Sequence, residues 1–77
     1  MGDKLRFEYV RAGDVLFIST APPYPEQMTE ALGDDVIARL NPTTGDIENV
    51  EVLFFSTRLS GNKLFELPVT ADLRRAV

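Results

Sequence analysis

Hydrophobic and polar residues alternate along much of this chain, and the alternation predicts strands. From Leu5 to Val10, Leu5, Phe7 and Tyr9 fall on one face and Arg6 and Glu8 on the other, the two-residue period of a half-buried strand. Arg11, Ala12, Gly13 and Asp14 carry turn chemistry and predict a tight hairpin into the next run. That run, Val15 to Thr20, opens Val-Leu-Phe-Ile with no polar break, so both of its faces are apolar and it is expected inside the sheet. Ala21-Pro22-Pro23-Tyr24-Pro25 cannot join a ladder, because its prolines lack the amide donor, and reads as a loop or a sheet edge. Glu26 to Leu32 fits two patterns, a helix opened by Pro25 and stopped by Gly33, or an extended segment with Met28, Glu30 and Leu32 on one face.

Alternation returns at Asp35 to Leu40, with Val36, Ala38 and Leu40 inward, and Asn41-Pro42-Thr43-Thr44-Gly45-Asp46 supplies a turn. The return strand is expected over Ile47 to Phe55, with Val50, Val52 and Phe54 on one face and Leu53 and Phe55 ending the other. Ser56 to Asn62 breaks the pattern, with a turn at Gly61-Asn62, and Lys63 to Leu67 reads as a short edge strand before Pro68. Thr70 then reads as the N-cap of one or two helical turns over Ala71 to Ala76, acid first and bases last. The expected fold is α+β and mainly β: a small antiparallel sheet of roughly four to six strands built from two hairpins, with one short C-terminal helix. No repeat, low-complexity tract or linker divides residues 1–77, so one domain is expected.

The order Phe7-Glu8-Tyr9, Asp14-Val15-Leu16-Phe17-Ile18, Asp34-Asp35-Val36-Ile37 and Gly45 to Leu53 resembles the bacterial domain-of-unknown-function family numbered 2283. That family's pattern is a tyrosine, a turn ending in aspartate, an apolar strand, a later valine-led strand, and a glycine turn into a strand containing Gly-Ile-Glu-Ile-Leu. Tyr9, Asp14, Leu16, Ile18, Val36, Gly45, Val50, Glu51, Val52 and Leu53 fall on those positions, and the likeness spans Leu5 to about Ser56. Asn49 stands where the family has glycine, and since Asn tolerates a left-handed backbone a β-bulge there is compatible with the sequence. The proline-rich loop and the C-terminal tail are additions to the pattern. The resemblance implies a small β-rich protein without an assigned activity, and it favours the extended reading of Glu26 to Leu32.

Composition narrows the chemistry. Of 77 residues 44% are hydrophobic and 26% charged, a globular mix rather than a disordered one. The absence of His and Cys removes thiol nucleophiles, disulfides, imidazole bases and zinc fingers. Twelve acids against eight bases give a net charge of −4, which disfavours a phosphate backbone, so no nucleic-acid partner is expected. Met1 to Asp14 is charged throughout, without the apolar run of a secretory signal, and no window is apolar enough to span a bilayer. A cytoplasmic protein with no membrane partner is therefore the expectation.

Candidate catalytic or metal groups reduce to Asp14, Asp34, Asp35, Asp46, Glu48 and Glu51, most of them in predicted turns where local hydrogen bonding accounts for them. Glu51 differs, lying within an apolar strand, where a carboxylate needs a partner; Arg39, Arg6 or Arg58 on a neighbouring strand are the candidates. No motif activates Ser19, Thr20, Ser56, Thr57 or Ser60 as a nucleophile, and Gly13, Gly33, Gly45 and Gly61 stand singly rather than in a phosphate loop. Pro22-Pro23-Tyr24-Pro25 has the spacing read by polyproline-docking domains, but a stiff crossover explains it as well. Arg74-Arg75 suits the end of a short helix. No cofactor is expected.

A sheet apolar on both faces needs two covers, and one short helix supplies one at most. Leu16, Ile18, Leu53 and Phe55 are the expected interface, and a twofold homodimer is the expected assembly. The functional expectation is a noncatalytic homodimeric module that binds another protein. Its alternatives are an antitoxin-like neutraliser of a basic toxin and a minimal acid-based, metal-dependent hydrolase.

Overall fold

A computed structural model describes residues 4–61 and 66–76. Five strands, β1 (Arg6–Val10), β2 (Val15–Ser19), β3 (Met28–Gly33), β4 (Val36–Leu40) and β5 (Ile47–Leu53), are followed by one short helix, α1 (Phe55–Gly61). They form a single antiparallel sheet in the order β1-β2-β5-β4-β3. The fold class is the expected one, mainly β with one short helix after the strands among the described residues. Glu26 to Leu32 resolves in favour of the extended reading, contributing most of β3.

The turns follow their residues. Asp14 N donates to the Arg11 carbonyl across the β1–β2 turn, and Asp14 has φ 53°. Asp34 and Asp35 alone link β3 to β4, with Asp35 at φ 60°, a left-handed conformation that Asp tolerates better than most residues. Between β4 and β5 the Asn41 side-chain oxygen accepts from Thr43 N and Thr44 N at 2.8 and 3.1 Å, and Gly45 takes the left-handed position at φ 79°.

Directly opposed residues of neighbouring strands share a face, so the register sorts the side chains. One face carries Tyr9, Leu16, Val52 and Val36 in one row and Phe7, Ile18, Val50 and Ala38 in the next. Here lies the core: Val36, Ala38, Val50 and Val52 are buried, with Leu16, Ile18, Leu32, Phe55 and Leu67 packed against them. The opposite face carries Val15 and Leu53, then Glu8, Phe17, Glu51, Ile37 and Ala31, then Arg6, Ser19, Asn49, Arg39 and Thr29. No helix or strand among the described residues lies over it.

Three expectations are corrected. The return strand stops at Leu53 rather than Phe55, because Phe54 adopts φ 53° and turns the chain, leaving Phe54 exposed and Phe55 folded back on the core. The helix occupies Phe55–Gly61, within a stretch whose pattern reads as broken, and Ala71 to Ala76, where the sequence predicts a helix, is not helical. Six residues exposed to water cannot pay for nucleating a helix without a surface to pack on. The bulge on β5 falls at Glu48, between Ile47 and Asn49, and Asn49 itself pairs regularly with Arg39 and Ser19. The edge strand expected at Lys63 to Leu67 lies largely outside the described residues, and Glu66 and Leu67 are in no strand.

Candidate interaction surface

Four features of the sheet could serve function: two polar clusters at its ends, its open face, and its free border at β1. The first cluster forms around Asp14. Tyr9 Oη donates to Asp14 Oδ1 at 2.7 Å, Ser56 N donates to the same oxygen at 2.9 Å, and Ser56 Oγ donates to Oδ2 at 2.7 Å. Phe55 N donates to the Asp14 carbonyl, so this aspartate caps α1 from the far side of the sequence. The Tyr9 hydrogen bond first, then Ser56, holds the Asp14 carboxyl below its ordinary range, while the Tyr9 phenol is raised by the same bond. The Tyr9 and Phe55 rings meet at 5.8 Å, and Arg58 Nη2 donates to the Asp34 carbonyl to fix the helix's other side.

Glu48 anchors the second cluster. Its Oε1 accepts from Tyr24 Oη at 2.7 Å and Gln27 Nε2 at 3.0 Å, and its Oε2 from Asn41 Nδ2 at 3.3 Å. Those bonds, Tyr24's foremost, keep the carboxyl below its ordinary value and push the Tyr24 phenol up to about 12. They tie the proline-rich loop to the β4–β5 turn, a task for which the loop's stiffness suits it. Glu48 reaches these donors because it is the extra residue of the bulge. Alternation alone does not show that, so sequence reasoning did not single out this role.

Glu51 pairs with Arg39, among the three partners considered: Nε to Oε2 is 2.8 Å, with Arg39 half-exposed and Glu51 mostly covered. Asn49 beside them is 8% exposed, and its Nδ2 has no acceptor. Asp34, Asp35 and Asp46 lie in exposed turns. Among the described residues no group of His, Cys, Asp or Glu is arranged to hold a metal. No helix among them is long and apolar enough to cross a membrane.

The expected interface residues divide. Leu16, Ile18 and Phe55 come together against Val36, Val50 and Val52, covering the core of their own chain. Leu53 lies on the opposite face, opposite Val15 and one pair from Phe17 and Ile37. Those four are only half-buried, and Glu51, paired with Arg39, lies between Phe17 and Ile37. On the core face, a groove of about 860 Å³ runs between the sheet and the C-terminal tail, lined by Phe7, Ile18, Ile47, Leu67, Val69 and Leu73. At the border, every residue of β1 is exposed, with Phe7 at 63%, Leu5 before it at 45% and Tyr9 at 43%. No family model matches the chain, and neither a curated protein nor a solved structure matches it.

Proposed function

We propose that this chain is a noncatalytic protein-interaction module that works as a homodimer. The observation that carries the proposal is its surface. A compact monomer of 8.6 kDa is expected to expose about 4,700 Å², whereas this chain exposes 6272 Å². Its radius of gyration, 13.0 Å, exceeds the roughly 11.5 Å of a compact domain of this length. The excess per chain is about twice the roughly 800 Å² that each partner contributes to a standard protein interface. Among the described residues the exposed stretches are β1, most of β3 and residues 70–76, while Phe17, Ile37 and Leu53 on the open face are half-buried.

Support for the noncatalytic reading is chemical. The chain has no His or Cys, and Asp14, Glu48 and Glu51 are occupied by donors that hold the fold. A carboxylate held below its ordinary range by its donors, as Asp14 and Glu48 are, is a poor base. Kinship with the 2283 family, read from the ordered motifs, and a cytoplasmic setting, read from the cysteine-free composition, belong to the same proposal. Sedimentation equilibrium at micromolar concentration tests it: a mass twice 8.6 kDa is expected, and a mass of 8.6 kDa throughout would overturn it.

A further inference from the structure

We propose that two copies of the chain join through β1, antiparallel about a twofold axis at Phe7, so that their two five-stranded sheets become one. This rests on the homodimer reading and assigns its geometry.

The two borders of the sheet differ. At β3 the register shifts between Ala31 and Gly33, leaving Leu32 as an extra residue, and such bulges twist an edge away from further pairing. β1 pairs with β2 through five successive residues without a shift, so its outer backbone groups form a regular row. No Pro or bulge interrupts Arg6–Val10, and the two charges it carries, Arg6 and Glu8, are of opposite sign and so guard the edge only against strands that do not match them.

Charge then fixes the partner and the register. Antiparallel edge pairing places a twofold axis perpendicular to the sheet, and this axis must pass through a residue if each face is to continue into its own copy. Centred on Phe7, it sets Arg6 opposite the partner's Glu8 and Glu8 opposite the partner's Arg6, two opposite-charge pairs on one face. Centred on Arg6, it sets Arg6 against the partner's Arg6 between two Lys4–Glu8 pairs; centred on Glu8, it sets Glu8 against the partner's Glu8. Centred on Tyr9, it sets Glu8 against the partner's Val10 and Phe7 against the partner's Arg11, so the Phe7 register alone pairs the charges of β1 with no like-charge contact. On the other face the Phe7 register brings the two exposed Phe7 rings together and sets Leu5 opposite the partner's Tyr9, which covers the most exposed apolar row of the strand. A strand with this pattern is its own complement, and a second copy is the occupant it fits.

Charge reversal tests the pairing. The wild-type chain, R6E, E8R and an equimolar mixture of R6E with E8R are compared by sedimentation across a concentration series. Each single variant is expected to raise the dimer dissociation constant about tenfold or more, because both pairs become like-charged. The mixture is expected to regain wild-type affinity as a heterodimer, an outcome that a merely misfolded variant could not give. F7C supplies a second reading, since directly opposed Cα atoms of paired strands stand about 4.5–5.5 Å apart, within reach of a disulfide, and the chain has no other cysteine. Mild oxidation should link it covalently into dimers. A wild-type dimer unaffected by R6E and E8R, or an F7C chain that stays unlinked, overturns the β1 pairing while the homodimer stands. A wild-type monomer overturns both.

Discussion

Val52 is completely buried near the C-terminal end of the middle strand, and truncating it removes two methyl groups and leaves a space the sheet cannot close. Val52→Ala is expected to cost about 2 kcal/mol and to lower the melting temperature by roughly 10 °C; a shift under a couple of degrees would show that the core sits elsewhere. Asn49→Val should act in the opposite sense, because it removes a buried amide without an acceptor and places a β-branched residue in a strand. A gain of about 1 kcal/mol by denaturant titration is the expected outcome. Glu48 makes stability depend on acid. Its folded pKa lies below the ordinary 4.5, so its contribution is complete above that value and is lost as the pH falls through the folded one. Melting temperatures from about pH 6 to about pH 3 should decline in acid, and Glu48→Gln should flatten that decline; equal slopes would remove Glu48 from the account. Glu51 was legible in the sequence because a carboxylate in an alternating strand calls for a cross-strand cation, and Arg39, opposite Asn49, lies on the same face one pair away on the diagonal. Glu48 was not, since a bulge changes which side of the strand a residue reaches.

The strands were legible for the reason that makes them stable: two-residue alternation puts Val36, Val50 and Val52 on one face, and Asp, Asn and Gly mark the turns. The helix was not. Phe-Ser-Thr-Arg-Leu-Ser-Gly has little intrinsic helix propensity, and its cap comes from Asp14, 42 residues earlier. What starts α1 is therefore a tertiary contact that no local window contains, together with the left-handed turn at Phe54. Thr70 to Ala76 shows the converse, a good local pattern with nothing to pack against. Asp14→Ala should consequently loosen α1 ahead of the sheet. Amide exchange is expected to quicken across residues 55–61 while β5 stays protected, and uniform loss across both would show that helix and sheet open as one unit.

Among the described residues the sheet has one face partly covered by Phe55 of α1 and by Leu67, the other with no helix or strand over it, and two borders of unlike character. Its assembly should be visible in its thermodynamics as well as its mass. If folding and dimerisation are linked, the melting temperature must climb with protein concentration, and invariance over a hundredfold dilution series would contradict the dimer. The extra residue at Leu32 has a consequence of its own for such an assembly. Units that bond through one permissive side and are blocked at the other come to rest as a pair. A unit regular on both flanks would hold two sticky sides, and the same fold would then polymerise into ribbons without a natural length.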